Sequence, residues 1–206
     1  MWRATLDAMT ALPLQPHRLL TVAEFAALPE NGDVRYELQE GALVMSPSPI
    51  PEHQRCVRRL LRVVEDQLPE HLEVLPDVDI DLELVEPNRP GFARRPDLVV
   101  VPIAAIDRRR REGGLLRAGE VLLAIEIVSV GSERTDRTIK HGEYADAGIP
   151  HYWIVDIDPR PTLTASHRAG EFGYVDAPAV TGVFTAEEPF PVRLELDQLL
   201  RPPGQR

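Results

Sequence analysis

The run Val121-Leu122-Leu123-Ala124-Ile125-Glu126-Ile127-Val128 is apolar throughout except for one carboxylate. It lacks the alternation of a half-exposed strand and is far too short to span a membrane, so it reads as a strand buried on both faces. A strand of that kind needs a layer of structure on each side, which narrows the chain to an α/β or α+β architecture. An ionised Glu126 in such a strand is costly unless it is paired or bound to a cation. This residue alone leaves two readings open, a buried ion pair with an arginine and a functional carboxylate.

The neighbouring segments supply the layers. Asp97-Leu98-Val99-Val100-Val101 reads as a second buried strand, opened by an acid. Before it, Val57, Leu60, Leu61, Val64 and Leu68 recur at three- and four-residue steps, predicting an amphipathic helix over 51–68 with Arg55, Arg58, Arg59 and Arg62 outside. Val74, Val78, Ile80, Leu82 and Leu84 set against Asp77, Asp79, Asp81 and Glu83 predict one strand with an acidic solvent face. Thr21 and Glu24 form a capping box for a short helix that Pro29, Asn31 and Gly32 end. Residues 35–39 and 42–45 read as a hairpin turning at Glu40-Gly41. A helix over 134–147, stopped by Gly148, leads to a buried strand at 152–155, which implies a right-handed parallel crossover. Short strands at 162–167, 172–175 and 180–184 suggest a meander, and 194–200 ends the ordered chain. The expected whole is a mixed β-sheet flanked by helices, with an N-terminal hairpin and a C-terminal meander. It forms one domain over 21–200, with an extension at 1–20 and a tail at 201–206.

Composition excludes several classes. Cys56 is the only cysteine, so neither a disulfide framework nor a zinc-thiolate cluster is available. No leader and no long apolar stretch is present, which points to a cytoplasmic protein away from membranes. The net charge of −10 argues against a chain that coats nucleic acid through bulk electrostatics. Arg94, Arg95, Arg108, Arg109, Arg110 and Arg111 are a local exception. The last four, flanked by Gly113-Gly114, read either as a mobile loop near a substrate path or as a solvated surface. No glycine-rich phosphate loop, nucleophile elbow or paired-histidine zinc motif occurs.

One residue choice singles itself out. Of 23 basic residues, Lys140 is the only lysine. It follows Glu126 on the next helix, and a lysine offers a compact ammonium of tunable pKa that a planar guanidinium cannot replace. Asp136, Lys140 and Tyr144 lie at four-residue steps on one helix face, where Asp136 either orients Lys140 or forms an ordinary helical ion pair. Two acids from adjacent strands, Asp97 and Glu126, can share a magnesium or manganese ion beside water and phosphate.

The segments Arg95-Pro96-Asp97, Glu126-Ile127-Val128-Ser129, Asp136, Lys140, Tyr144, Ala147-Gly148-Ile149-Pro150 and Tyr152-Trp153-Ile154-Val155, taken together, resemble the Uma-two family. Arg35-Tyr36-Glu37-Leu38 with Gly41, and His53 at the head of the long helix, fit the same pattern. The likeness runs from about Thr21 to Leu200. It implies the restriction-endonuclease-like fold of the PD-(D/E)XK superfamily and a metal-dependent endonuclease acting on nucleic acid, expected to be DNA. Asp97, Glu126 and Lys140 would be the catalytic set, with Asp97, Glu126 and the Ile127 main-chain carbonyl as metal ligands. In the general motif the lysine lies two residues after the second acid, where this chain has Val128, so the resemblance implies a lysine displaced to the helix. Glu37 is either a third metal-facing acid or a partner of Arg35, and His53 either contacts phosphate or begins a helix. A two-fold dimer is the expected assembly. The rival readings are a catalytically silent nuclease-fold binding module and a metal-dependent hydrolase of small phosphate esters.

Overall fold

The computed structural model describes residues 18–29, 35–46, 48–128 and 131–202. The expected helix stop at Asn31 and Gly32, and most of the extension and tail, lie outside those residues. The helices are α1 (Val22–Ala26), α2 (Pro51–Glu65), α3 (Ile103–Glu112) and α4 (His141–Asp146). The strands are β1 (Tyr36–Gln39), β2 (Ala42–Met45), β3 (Leu72–Pro76), β4 (Ile80–Asp81), β5 (Ala93–Arg94), β6 (Leu98–Pro102), β7 (Leu116–Arg117), β8 (Leu123–Val128), β9 (His151–Asp156), β10 (Thr162–Arg168), β11 (Tyr174–Asp176), β12 (Val180–Thr181), β13 (Val183–Ala186) and β14 (Val192–Glu195).

The central sheet runs β11-β10-β9-β8-β6-β3, with β12 beside β10. The two continuous apolar runs occupy its middle: all six residues of β8 are buried, as are Leu98 to Val101 of β6. β8 and β9 are parallel, as the intervening helix requires, while β6 and β10 pair antiparallel with their neighbours. Side chains alternate across this sheet. Leu98, Val100, Leu123, Ile125, Ile127 and Trp153 face a core closed by α2 and the β13–β14 hairpin. Val99, Val101, Ala124, Val128, Tyr152 and Ile154 face the other way, against Tyr144 and Ile149. The same alternation turns Glu126 towards that second face. The result is the mixed α+β architecture expected, and no described helix is long and apolar enough to cross a membrane.

Three expectations need correction. The strand anticipated over 74–84 is two strands in two sheets, β3 in the central one and β4 in a smaller sheet ordered β2-β1-β5-β4-β7. Asp77 and Glu83 adopt positive φ of 53° and 52°, which interrupts the extended backbone that the alternation implied. Arg108 to Arg111 form no loop. They are the last turns of α3, for arginine is a good helix former and Gly113, at φ 76°, stops the helix only after them. The predicted helix over 134–147 is not α-helical throughout: Thr135–Lys140 winds as a π-helix before α4 begins at His141.

The small sheet matters because its hairpin β1–β2 carries Glu37 inward. Gly41 turns the hairpin at φ +79°, and its N–H donates to the Gly91 carbonyl at 2.8 Å while its own carbonyl accepts from Leu20 N–H at 2.8 Å. A Cβ at Gly41 would stand 2.7 Å from Pro90 Cβ and 2.9 Å from Leu19 Cβ. Gly41→Ala should therefore lower unfolding stability by about 1–3 kcal/mol, through strain and overlap together. Gly148→Ala, at φ +82° with nothing within 4 Å, carries the strain of a left-handed helix stop alone and should cost less. Urea denaturation of both variants checks the order, and equal losses would mean that the close approach is not felt.

Candidate active site

The pairing of Leu98 with Ile125 brings Asp97, at the mouth of β6, level with Glu126 in β8. Asp97 Oδ2 accepts the Ile127 N–H at 2.7 Å and lies 3.1 Å from His53 Nε2, so the carboxylate is oriented by a strand amide and by the first turn of α2. Ile127, whose carbonyl is an expected ligand, meets Asp97 through its amide and lines the same cleft. Glu126 is 3% exposed. Its Oε1 accepts from Lys140 Nζ and from the Tyr144 hydroxyl, both at 2.9 Å.

Lys140 comes from the last turn of the π-helix. The wider winding stacks Asp136 beneath it, with Asp136 Oδ1 at 3.7 Å, and Tyr152 holds that turn by donating its hydroxyl to the Asp136 carbonyl. Lys140 is 6% exposed, and on its far side stands Glu37 Oε1 at 3.1 Å. Glu37 accepts from the Arg95 N–H at 3.0 Å and from Arg94 Nη1 at 3.1 Å. Of the two readings open for Glu37, pairing with Arg35 is excluded by these contacts, since Arg35 pairs with Asp77.

Arg94 is wholly interior, with its guanidinium also gripping Glu143 through bonds of 2.6 and 2.7 Å. Glu143, unremarked in the sequence, is a helical neighbour of Lys140, and only its place across from Arg94 gives it meaning. Arg94 is therefore not a surface contact for nucleic acid, whereas Arg95 keeps a partly exposed side chain at the cleft. Arg95 pairs with Asp79 at 2.6 Å, and Arg108 with Glu120 at 2.6 Å. Arg109, Arg110 and Arg111 do not line the cleft. Among the remaining candidates, Glu37, His53, Asp97, Glu126, Asp136 and Lys140 line one cleft of about 200 Å³.

Charge is out of balance here. Burial pushes the Glu126 carboxyl well above its ordinary range; Lys140 offsets part of this, while Asp136, Asp97 and Glu37 add to it. Burial also raises Asp136, again against the pull of Lys140. For Glu37 burial acts upward, but Lys140 and Arg94 outweigh it and the carboxyl lies below its usual value. Burial disfavours the Lys140 ammonium, yet Glu126, Glu37 and Asp136 outweigh that, so the lysine stays protonated. His53 is held above its ordinary value, because its bond to Asp97 outweighs burial.

Among the described residues, no group of three or more His, Cys, Asp or Glu side chains forms a ready-made metal cage. The donor chemistry nevertheless fits a hard divalent cation: Asp97 and Glu126 are adjacent oxygen donors in a cleft with more carboxylates than cations.

The Uma2 family model, described as "Putative restriction endonuclease", matches residues 22–198. The chain belongs to the Uma2 family. Its fold is similar to the crystal structure of a "putative nuclease belonging to DUF820" from Anabaena variabilis ATCC 29413, at 20% identity and a TM-score of 0.63. That likeness covers 88% of this chain and 97% of the other. No curated protein matches the Uma2 chain.

In this Uma2 protein the raised Glu126 sets a sign for pH dependence. A carboxyl whose folded pKa exceeds its unfolded value, near 4.5, binds extra protons when folded, so its contribution to stability falls as pH rises from there through the folded pKa. Glu126→Gln abolishes that slope. With chelator present, melting temperatures followed from about pH 5 to about pH 8 should show the variant gaining on the parent as pH rises. Parallel curves would show that Glu126 ionises in the folded protein as readily as in the unfolded chain.

Proposed function

We propose that this Uma2 protein is a metal-dependent endonuclease hydrolysing nucleic-acid phosphodiester bonds, DNA above all, in the cytoplasm, from a single domain spanning 21–200. The observation that carries this reading is the placement of the only lysine, Lys140, inside the acid cluster, 2.9 Å from Glu126 and in the cleft shared with Asp97. An acid–acid–lysine set built into a cleft at this cost in buried charge favours hydrolysis over a silent binding module.

Asp97 and Glu126 would hold a magnesium or manganese ion. Bound there, such an ion supplies an activated water and neutralises charge on the phosphate. The side chains do the rest. His53 and the Ile127 amide fix Asp97 in one orientation, and Tyr144 fixes Glu126. Lys140, kept charged by its carboxylate neighbours, presents an ammonium to the negative charge that grows on the phosphate oxygens. Glu37, anchored by Arg94 and the Arg95 amide, holds the lysine from the opposite side and is better read as a positioning residue. A two-fold dimer would present two such clefts to the two strands of a duplex. The small cleft and the −10 charge favour one second reading, hydrolysis of small phosphate esters. Comparing plasmid with a chromogenic phosphodiester separates the two.

Two measurements test the assignment. Calorimetry with magnesium or manganese should show a binding site that Asp97→Ala removes, and unchanged binding would remove Asp97 from the ligand set. Lys140→Arg keeps the charge but replaces a compact ammonium, seated 2.9 Å from Glu126 and 3.1 Å from Glu37, by a larger planar group. Magnesium-dependent plasmid nicking should fall by ~10²–10³ in that variant. A variant that cuts as fast as the parent would exclude Lys140 from the chemistry.

A further inference from the structure

The cleft has one wall that its carboxylates and cations do not explain. In the β1–β2 hairpin Glu37 stands directly opposite Val44, so both side chains project from one face of the ribbon, and Val44 lines the cleft beside Glu37. Ile50, at the N-cap of α2 and three residues before His53, lines it too, as do Met45 and Pro49. None of the larger three is a core residue: Val44 is 38% exposed, Ile50 45% and Met45 62%. Ile50 is also a poor choice for its position, since Ser, Thr, Asp or Asn there would bond the open amides of α2, and Ile50 makes no such bond. Apolar surface gathered at the mouth of a polar cleft marks where the apolar part of a ligand lies.

Charge does not supply the grip on a polyanion here. The arginines and lysine that line the cleft are Arg35, Arg95 and Lys140. Each is paired: Arg35 with Asp77, Arg95 with Asp79, and Lys140 with Glu126 and Glu37. A divalent ion would offset charge at the scissile phosphate, but the neighbouring phosphates still meet a chain of net charge −10. Binding must therefore draw on the uncharged parts of the polymer, the bases foremost. In a duplex the bases are paired and stacked inside, and the lip would face phosphates that lose water against it. In a single strand the bases turn outward, and each offers a flat face on which apolar side chains such as Ile, Met and Pro can pack.

We propose that Val44, Met45 and Ile50 form a base subsite at the rim of the cleft, so that the substrate is a strand whose bases are unpaired beside the scissile phosphate. This rests on the reading of the cleft as a phosphodiesterase centre and narrows its substrate class. The cleft is small, about 200 Å³, so the base attached to a phosphate held there lies at the rim. A second copy of the chain seated on β2, an edge strand, would cover the same side chains. It would also stand across the mouth of the cleft and bar the polymer.

The test compares three labelled ligands on the full chain, with calcium present: an oligothymidylate, an abasic strand of the same length and charge, and the duplex of the first with oligodeoxyadenylate. Because the two single strands carry the same phosphates, their affinity ratio reports the bases alone. The parent should bind the oligothymidylate on the order of tenfold more tightly than the abasic strand, and more tightly than the duplex. Val44→Thr/Ile50→Thr should bring that ratio near unity while leaving abasic binding as it was. Threonine keeps the β-branched shape in β2 and can cap α2, so the variant's melting temperature and its manganese binding by calorimetry should not fall below the parent's. Equal affinity for the two single strands, tighter binding of the duplex, a variant that keeps the parent's ratio, or one that weakens both strands alike would each overturn the base subsite. So would a parent dimer that the variant splits with the ratio unchanged, which would give the lip to a second copy. A parent that shows the preference and loses it in the variant, yet cuts neither oligothymidylate nor plasmid with magnesium or manganese, would sink the hydrolytic reading and leave the lip as a base-binding surface.

Discussion

Everything around the cleft depends on one buried ammonium held between carboxylates from different sheets. Lys140 Nζ lies 2.9 Å from Glu126 on the central sheet and 3.1 Å from Glu37 on the small one. Charges so far from water are costly singly and tolerable only together. The lysine therefore fixes three things at once: the helix that carries it, the hairpin that brings Glu37, and the central strand that bears Glu126. Arg94 repeats the arrangement one layer out, joining Glu37 to Glu143 on α4. Removing either cation would leave buried carboxylates without a partner, a change that costs about 3–5 kcal/mol in comparable settings.

The same network explains why the cleft is suited to chemistry. Glu37, Asp97, Glu126 and Asp136 outnumber the cations among them, and burial leaves Glu126 reluctant to ionise. A site in that state favours whatever brings positive charge, a proton in its absence or a divalent cation when one is present. A divalent cation held there would compete with the proton for the same oxygens. Rigid supports keep those oxygens in place meanwhile: a strand amide and His53 for Asp97, a tyrosine hydroxyl for Glu126.

Much of this architecture is legible in the sequence. The apolar runs 97–101 and 121–128 gave the sheet centre, because seven apolar residues around one acid have few other places to go. The single lysine marked the residue that lies buried between Glu126 and Glu37. What stayed hidden was long-range or backbone-specific. Nothing local distinguishes Arg94, buried at 1% exposure, from the arginines of α2, since its partners lie 57 and 49 residues away. The positive φ of Asp77 and Glu83 broke a period-two pattern that looked uninterrupted. The arginine run at 108–111 suggested a loop by charge, although arginine is at home in a helix. The packing of β14 against α2 joins Gln67 to Arg193, residues more than a hundred positions apart.

The central claim is that the Asp97–Glu126 pair holds a divalent cation in the cleft that Lys140 shares. A crystal soaked in manganese tests it most directly, because the ion's anomalous signal locates it without reference to activity. The account predicts a peak bound by carboxylate oxygens of both Asp97 and Glu126, with Lys140 still inside the cleft. A peak that forms elsewhere, or a cleft in which Lys140 and Tyr144 retain Glu126 and no manganese enters at saturating concentration, would contradict it.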